Sequence, residues 1–261
     1  MKWFKRLGYV LGFLYLLLAG LLYFGQESLM LHPHPLPENH PYGEHAEEWI
    51  DLPDGNRLNA LRLRVPNPRG VILYLHGNVG SNGRSLYQTR QLRELGYDLY
   101  LVDYRGFGKS TGTITTEAHL TEDLQYVYDR LATDYGEANV YLLGYSLGSG
   151  PASYLAANNQ PAGMVLIAPY RSLTAMKNRW FWMFPDFLLK YELNNTANLA
   201  RATVPVAIVH GTADELIPVE MGRSLATLAS ERITLYELPG VSHRGAIMHR
   251  KVKEAVRQLI K

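Results

Sequence analysis

The central motif of this sequence is Gly144-Tyr145-Ser146-Leu147-Gly148. It directly follows the apolar run at residues 140–143 and precedes small residues, a pattern typical of a buried strand that turns sharply into a helix. A serine at such a turn has a strained backbone, and only glycines two positions away leave room for it. Its hydroxyl then lies at the C-terminal edge of a sheet, beside the free amides of a helix N-terminus. The motif therefore predicts a nucleophilic serine.

Short apolar runs on both sides of this motif indicate a parallel β-sheet, because continuous apolar runs are expected for strands covered on both faces. Amphipathic helical stretches separate them, and the clearest spans residues 115–135, with Thr116 and Glu117 as its predicted start. The sheet is expected to begin with an antiparallel hairpin that turns at residues 53–56. The predicted parallel strands are residues 71–75, 99–102, 140–143, 164–167, 206–209 and 233–238.

The composition of the chain excludes several classes of function. The chain has 261 residues, of which 47% are hydrophobic and 19% charged, enough apolar material for one sizeable core and one catalytic domain. The net charge of +2 includes no dense block of lysine and arginine, so no nucleic acid partner is expected. The absence of cysteine excludes disulfides, thiolate zinc sites and cysteine nucleophiles.

The N-terminal residues 1–25 are predicted to anchor the chain in a membrane. Lys2, Lys5 and Arg6 precede an uncharged apolar run at residues 7–25, which as a helix spans about 28 Å, close to the hydrocarbon thickness of a bilayer. The basic flank predicts a single-pass protein with a cytoplasmic N-terminus and its catalytic domain on the far side of the membrane. A cleaved secretory signal and a core helix are the alternatives.

Residues 26–46 are predicted to connect this anchor to a catalytic domain at residues 47–261. Prolines and histidines crowd residues 31–41, which suits an extended, solvated linker. No metal site is expected there, because histidines separated by prolines on an extended segment do not converge on one point. The four histidines are His32, His34, His40 and His45.

An insertion at about residues 170–203 interrupts the alternation of strands and helices. It is much longer than a usual connection, and aromatic and apolar residues are concentrated at residues 180–189. We predict a helical cap that covers an apolar pocket, with Trp180, Trp182 and Phe184 as substrate-binding residues. An extra packed helix is the alternative.

Two later loops supply partners for Ser146. Asp214 follows the predicted strand at residues 206–209, and His243 follows the one at residues 233–238. Because strand ends meet at one edge of a parallel sheet, these side chains can meet although they are far apart in sequence. We predict Ser146 as nucleophile, His243 as general base and Asp214 as the acid that orients it. Glu215 is the alternative acid and is expected to face solvent.

An oxyanion hole needs a second donor besides the amide that follows the nucleophile. His76-Gly77-Asn78 follows the strand at residues 71–75, the position from which such a sheet supplies a main-chain amide. We therefore predict the main-chain amides of Asn78 and Leu147 as the pair. His76 is expected to shape the loop rather than act as a base, and structural roles are also expected for His119, His210 and His249.

These motifs resemble the Bem46-type subfamily of serine α/β-hydrolases, which includes membrane-anchored members. The matching segments, between about Glu47 and the C-terminus, are residues 76–78, 103–110, 144–148 and 210–215, with Pro218. The resemblance implies an α/β-hydrolase fold, a triad at Ser146, Asp214 and His243, and a structural rather than catalytic role for Arg105. One departure is Ser242-His243-Arg244, where relatives usually have Gly-His-Asn, so the shape or charge of this loop is expected to differ.

The predicted chemistry is hydrolysis of a carboxylic ester or thioester through an acyl-enzyme intermediate. An apolar cap beside a membrane anchor suits a lipid-like acyl substrate. No metal or organic cofactor is expected, because the triad and the oxyanion amides supply every role. A peptidase or acyltransferase on the same scaffold is one alternative, and a membrane-tethered binding protein without turnover is another.

Overall fold

A computed structural model describes residues 2–260, which form ten strands and nine α-helices. The strands are β1 (His32–Pro33), β2 (Ala46–Asp51), β3 (Arg57–Leu63), β4 (Val71–Leu75), β5 (Val79–Gly80), β6 (Asp98–Val102), β7 (Val140–Tyr145), β8 (Gly163–Ile167), β9 (Val206–Gly211) and β10 (Ile233–Leu238). The α-helices are α1 (Lys2–Met30), α2 (Asn82–Thr89), α3 (Ala118–Tyr135), α4 (Ser149–Asn158), α5 (Leu173–Phe181), α6 (Asn195–Arg201), α7 (Val219–Ala226), α8 (His243–Ala246) and α9 (Arg250–Leu259). Short 3-10 helices cover Arg90–Leu95, Glu137–Asn139, Ser146–Gly148 and Asp186–Leu188.

Eight of the strands form one mostly parallel sheet in the order β10-β9-β8-β7-β4-β6-β3-β2. β2 and β3 are an antiparallel hairpin, β3 is antiparallel to β6, and the remaining neighbours are parallel. β7, which leads to Ser146, lies between β4 and β8 in the middle of the sheet. The predicted α/β architecture with an antiparallel start is confirmed.

Helices cover both faces of the sheet, which explains why its strands are continuous apolar runs. In β4, Val71, Leu73 and Leu75 belong to the core under α3 and α4, whereas Ile72 and Tyr74 belong to the core under α9. All five side chains are buried, and full burial of one such side chain stabilises the fold by about 1.5–3 kcal/mol. The two cores hold the strand ends, and therefore the loops that follow them, in fixed positions.

The helix predicted from residue 115 begins at Ala118, because the preceding residues form a separate turn. The Nδ1 atom of His119, at the start of α3, accepts a hydrogen bond from the Thr115 amide at 3.2 Å. Glu117 is the N-cap residue, as predicted, but its carboxylate makes no cap bond and instead accepts the Leu193 amide at 3.0 Å. Glu117 therefore ties α3 to the insertion.

The N-terminal helix α1 is long and apolar enough to cross a membrane. It continues to Met30, past the predicted start of the connector at residue 26. The polar residues of this last turn stay helical because they find partners on residues 188–191: the Gln26 Oε1 atom accepts the Lys190 amide at 2.9 Å, and Glu27 pairs with the Lys190 ammonium at 2.9 Å. The connector therefore begins at Leu31.

The connector is extended and mostly exposed, and it is also hydrogen-bonded to the domain that follows it. β1 pairs with β5, and Pro35 forms an isolated bridge with Gly108. The His32 amide donates to the Asn78 carbonyl at 2.8 Å, which places this segment against a loop of the predicted active site. Within residues 2–260, no group of three or more His, Asp or Glu side chains is arranged to hold a metal ion.

The insertion is helical, as predicted, and part of it packs on α1. Ser172 caps α5 by accepting the Ala175 amide at 3.0 Å, and the segment between α5 and the following 3-10 helix forms the tip of the cap. At this tip the Tyr15 hydroxyl of α1 donates to the Met183 carbonyl at 3.0 Å, and the Tyr15 and Phe184 rings stack at 5.1 Å. The cap and the N-terminal helix therefore form a joint surface.

Candidate active site

Ser146 lies at the turn between β7 and α4 with a φ of +53°, in the left-handed region that non-glycine residues rarely adopt. The backbone of the turn passes close to its neighbours. A Cβ atom at Gly144 would lie 2.6 Å from the Gly148 carbonyl oxygen, and one at Gly148 would lie 2.1 Å from the Leu75 carbonyl oxygen. Both glycines are therefore needed for this turn, which aims the serine at the sheet edge.

We expect Gly148→Ala to destabilise the protein by about 3 kcal/mol, because the added methyl meets backbone rather than a movable side chain. For a chain of this size the melting temperature would fall by about 6–12 °C. Differential scanning fluorimetry of the full chain in detergent measures this shift. Gly163→Ala is the control, since its Cβ would meet nothing closer than 3.4 Å. Equal melting temperatures for the two variants would contradict the steric argument.

The structure brings Ser146, His243 and Asp214 together, although nearly 100 residues separate the first two. The Nδ1 atom of His243 lies 2.7 Å from the Asp214 Oδ2 atom, and its Nε2 atom lies 2.9 Å from the Ser146 Oγ atom. Because an ionised carboxylate only accepts hydrogen bonds, Nδ1 carries the imidazole proton. Nε2 is then left to accept the serine hydroxyl proton, which is the tautomer that a general base requires.

Asp214 is held by a dense set of donors. Its Oδ1 atom accepts the amides of Leu216 at 3.0 Å and Ile217 at 2.8 Å. Burial by itself would raise the pKa of Asp214, but hydrogen bonds from His210, His243 and the Ile217 amide outweigh it and lower the pKa well below its ordinary value. The carboxylate therefore stays ionised at neutral pH. Glu215, the alternative acid, is exposed.

Two residues that support this arrangement were not assigned to the site from the sequence. The Tyr145 ring stacks on His243 at 5.4 Å, and its hydroxyl donates to the His243 carbonyl at 3.3 Å. The fully buried His210 donates through Nε2 to the Ile217 carbonyl at 2.8 Å and lies 3.5 Å from the Asp214 carboxylate. Only their positions in the sequence could have indicated these two residues. Tyr145 directly precedes the serine, and His210 lies four residues before the acid.

The predicted oxyanion loop passes directly beside the nucleophile. A Cβ atom at Gly77 would lie 3.5 Å from the Ser146 Cβ atom. Asn78, which carries the predicted amide donor, is the next residue in the chain. In the described part of the chain, the Asn78 amide has no hydrogen-bond partner. Its side chain donates to the Met30 carbonyl at 2.7 Å, which fixes the loop against the end of α1. Leu147, the other predicted donor, is the first residue after the serine.

The remaining histidines and Arg105 lie apart from the three grouped side chains. His76 is buried, its Nδ1 atom donates to the Gly77 carbonyl at 2.6 Å, and burial lowers its pKa to about 4. It is therefore neutral at physiological pH and shapes the loop. Arg105 forms ion pairs with Asp54 and Asp123, which link the β2–β3 turn to α3. His249 accepts the Lys251 amide at the start of α9.

The three predicted substrate-binding aromatics have different environments. Trp180 and Phe184 line an apolar groove of about 260 Å³, but Trp182 does not line it and is 74% exposed. The cap lies on α1, so the tip of the cap that carries Trp182 faces outward. The substrate-binding role of Trp182 stays a prediction. The second wall of the groove comes from α1, at Leu22, Leu29 and Met30.

Comparisons with known proteins relate this chain to a family of hydrolases. The model of the family described as "Serine aminopeptidase, S33" matches residues 66–198. Lysophosphatidylserine lipase ABHD12 of Macaca fascicularis is 30% identical over 189 residues, which cover 64% of this chain and 47% of that protein. Alpha/beta hydrolase domain-containing protein 17B of Homo sapiens is 28% identical over 213 residues, covering 79% of this chain and 72% of that protein. The chain spans about half the length of the ABHD12 relatives that it matches.

Among solved structures, the Pyrococcus furiosus esterase Pf2001 superposes with a TM-score of 0.70 and 18% identity, covering 88% of this chain and 97% of that one. At this identity the likeness shows the α/β-hydrolase fold alone. The family match covers about half of the chain and includes the β7–Ser146–α4 turn. The chain therefore belongs to the serine aminopeptidase S33 family of α/β-hydrolases.

Proposed function

We propose that this chain is a serine esterase that hydrolyses carboxylic esters or thioesters of lipid-like acyl groups. One observation carries the proposal: the hydrogen-bonded series from Asp214 through His243 to Ser146, with 2.7 and 2.9 Å between successive partners. This geometry is what nucleophilic catalysis by a serine requires, because the hydroxyl needs a base within hydrogen-bond reach and the base needs an orienting acid.

In the proposed reaction the Ser146 Oγ atom attacks the substrate carbonyl carbon while His243 Nε2 takes the hydroxyl proton. The amides of Asn78 and Leu147 stabilise the oxyanion of the tetrahedral intermediate, and Asp214 stabilises the imidazolium. The intermediate then expels the alcohol or thiol, which leaves with the proton from His243. Water then attacks the acyl-serine while His243 takes a proton from it. His243 returns this proton to the Ser146 oxygen as that oxygen leaves, which releases the carboxylic acid and restores Ser146.

An acyl substrate is favoured over a peptide N-terminus by the charge of the groove. An aminopeptidase must bind a substrate ammonium, which calls for an acidic side chain beside the scissile bond. The groove lining that the structure describes includes no carboxylate, and its one cation, Lys177, is paired with Asp186. The lipase named among the relatives also supports a lipid-like ester. Acyl transfer to another alcohol stays an alternative on the same scaffold.

We also propose that α1 anchors the enzyme as a single-pass membrane protein of the Bem46-like type. The apolar helix supports the anchor, and the flanking Lys2, Lys5 and Arg6 support a cytoplasmic N-terminus. The catalytic domain would then lie on the far side of the membrane.

Labelling and substrate profiling of the full chain in detergent test the proposed function. We expect a fluorophosphonate to modify Ser146, located by peptide mapping, and p-nitrophenyl esters to be hydrolysed while alanine p-nitroanilide is not. Faster cleavage of the anilide than of every ester would favour a peptidase. A folded protein that neither labels nor turns over any ester would instead be a membrane-tethered binding protein.

A further inference from the structure

We propose that the last turns of α1 form one wall of the acyl-binding site, so that a single-chain lipid enters from the bilayer along α1 with its acyl chain in the groove. This inference rests on the esterase function proposed above. It assigns to the N-terminal helix a direct part in substrate binding, in addition to anchoring.

The groove is built from two segments far apart in sequence. α1 contributes Leu22, Leu29 and Met30, and the cap contributes Met176, Trp180 and Phe184. Along α1 the groove extends from Leu22 to Met30, about 12 Å at the rise of an α-helix. The two walls are held together by polar contacts at their margins, such as the Gln26 side chain that donates to the Leu188 carbonyl at 3.2 Å.

The inner end of the groove is lined by two residues that are hydrogen-bonded to proposed site residues. Met30 lines the groove, and its carbonyl accepts the side-chain amide of Asn78, the proposed oxyanion residue, at 2.7 Å. Leu216 also lines the groove, and its amide donates to the Asp214 carboxylate at 3.0 Å. A chain lying in the groove would therefore end between the oxyanion loop and the loop that carries the acid.

The outer end of the groove lies at the membrane segment. Phe184 lines the groove and stacks on Tyr15, which is in the middle of the apolar run at residues 7–25. The cap tip next to this contact exposes large apolar side chains to an unusual extent, with Trp182 74% and Phe187 82% exposed. Large apolar side chains exposed beside a membrane helix are typical of a surface that contacts the bilayer.

The occupant is identified by the size and polarity of the groove. Its volume of about 260 Å³ lies just below the range for small-molecule pockets, roughly 300–1,000 Å³, and suits one acyl chain rather than two. Its walls are mostly apolar, and the polar ends of Gln26 and Lys177 are bonded to protein groups. A hydrocarbon chain continuous with the bilayer matches these walls.

Filling the groove tests the proposal in the full chain, in detergent. Leu29→Trp is expected to lower the ratio of kcat/KM for p-nitrophenyl palmitate to that for p-nitrophenyl butyrate by about tenfold or more, because the indole occupies the path of the long chain. Leu21→Trp is the matched control, since Leu21 is on the same helix, is similarly exposed (62% against 61%) and does not line the groove. The control ratio should stay within about twofold of wild type.

A long-chain fluorophosphonate with a terminal diazirine gives a second measurement that does not depend on a folded variant. Once bound to Ser146 and irradiated, it should crosslink to peptides containing residues 22–30 or 173–184. Crosslinks found only elsewhere, or equal chain-length ratios in Leu29→Trp and Leu21→Trp, would overturn the groove assignment while leaving the esterase function intact. If wild type neither labels nor hydrolyses the butyrate ester, the esterase function itself is wrong, and the groove assignment fails with it.

Discussion

Replacing Ser146 with alanine is expected to lower kcat for p-nitrophenyl butyrate by about 10⁴- to 10⁶-fold and to abolish fluorophosphonate labelling. Within residues 2–260, the Ser146 Oγ atom is the one hydroxyl oxygen hydrogen-bonded to His243 Nε2, with 2.9 Å between them. The remaining activity would come from the oxyanion amides and substrate binding, which still stabilise the attack of water.

Ser153→Ala is the matched control for this loss. Ser153 is buried on α4, seven residues after Ser146, and its hydroxyl donates to the Gly150 carbonyl at 2.9 Å. The variant removes the same kind of atom, a buried serine hydroxyl, from the helix that follows Ser146 without touching the site, so kcat should stay within about threefold of wild type. A Ser146→Ala protein that keeps more than about a hundredth of wild-type kcat would exclude Ser146 as the nucleophile.

Asp214→Asn is expected to lower kcat by about 10⁴-fold while labelling by fluorophosphonate becomes slow rather than absent. An asparagine side chain can donate to His243 Nδ1, and that contact favours the tautomer whose Nε2 carries a proton and cannot accept one from Ser146. Kinetics at neutral pH with the butyrate ester measure the loss. Glu215→Gln, at the exposed neighbouring carboxylate, should leave kcat within about twofold of wild type.

The lowered pKa of Asp214 also predicts a pH-dependent effect of the same variant on stability. Because the fold favours the ionised form, this carboxylate stabilises the protein above its ordinary pKa of 3.8, and the contribution is lost as the pH falls through the lower folded value. The difference in melting temperature between wild type and Asp214→Asn should therefore be largest near neutral pH and should shrink as the pH falls below about 4. A difference that grows with acidity would contradict an ionised Asp214.

The sheet, the nucleophile turn and the order of the three grouped residues were predictable because each depends on a local or directional rule. The strands were visible because two covered faces require continuous apolar runs, as in β4. The turn at Ser146 was visible because its strained backbone needs glycines at fixed spacing. Asp214 and His243 could be placed because loops after parallel strands meet at one edge.

Contacts between segments far apart in the chain could not be predicted in this way. The stacking of Tyr145 on His243 depends on a residue nearly 100 positions away. The support of Asp214 by His210, although only four residues separate them, depends on how the loop after β9 folds back on that strand. The outward position of Trp182 follows from the packing of the cap on α1, for which the composition of the insertion is no guide.

The N-terminal helix also has one feature that the sequence predicts and one that depends on tertiary contacts. Its apolar run at residues 7–25 was plain from the sequence, since length and hydrophobicity alone determine whether a helix can cross a bilayer. Its continuation to Met30 was not, because the partners of Gln26 and Glu27 lie more than 160 residues away at Lys190. Periodicity and spacing reflect requirements that residues close together in the sequence must meet. Only tertiary structure decides which distant surfaces meet, and that meeting formed the groove between α1 and the cap.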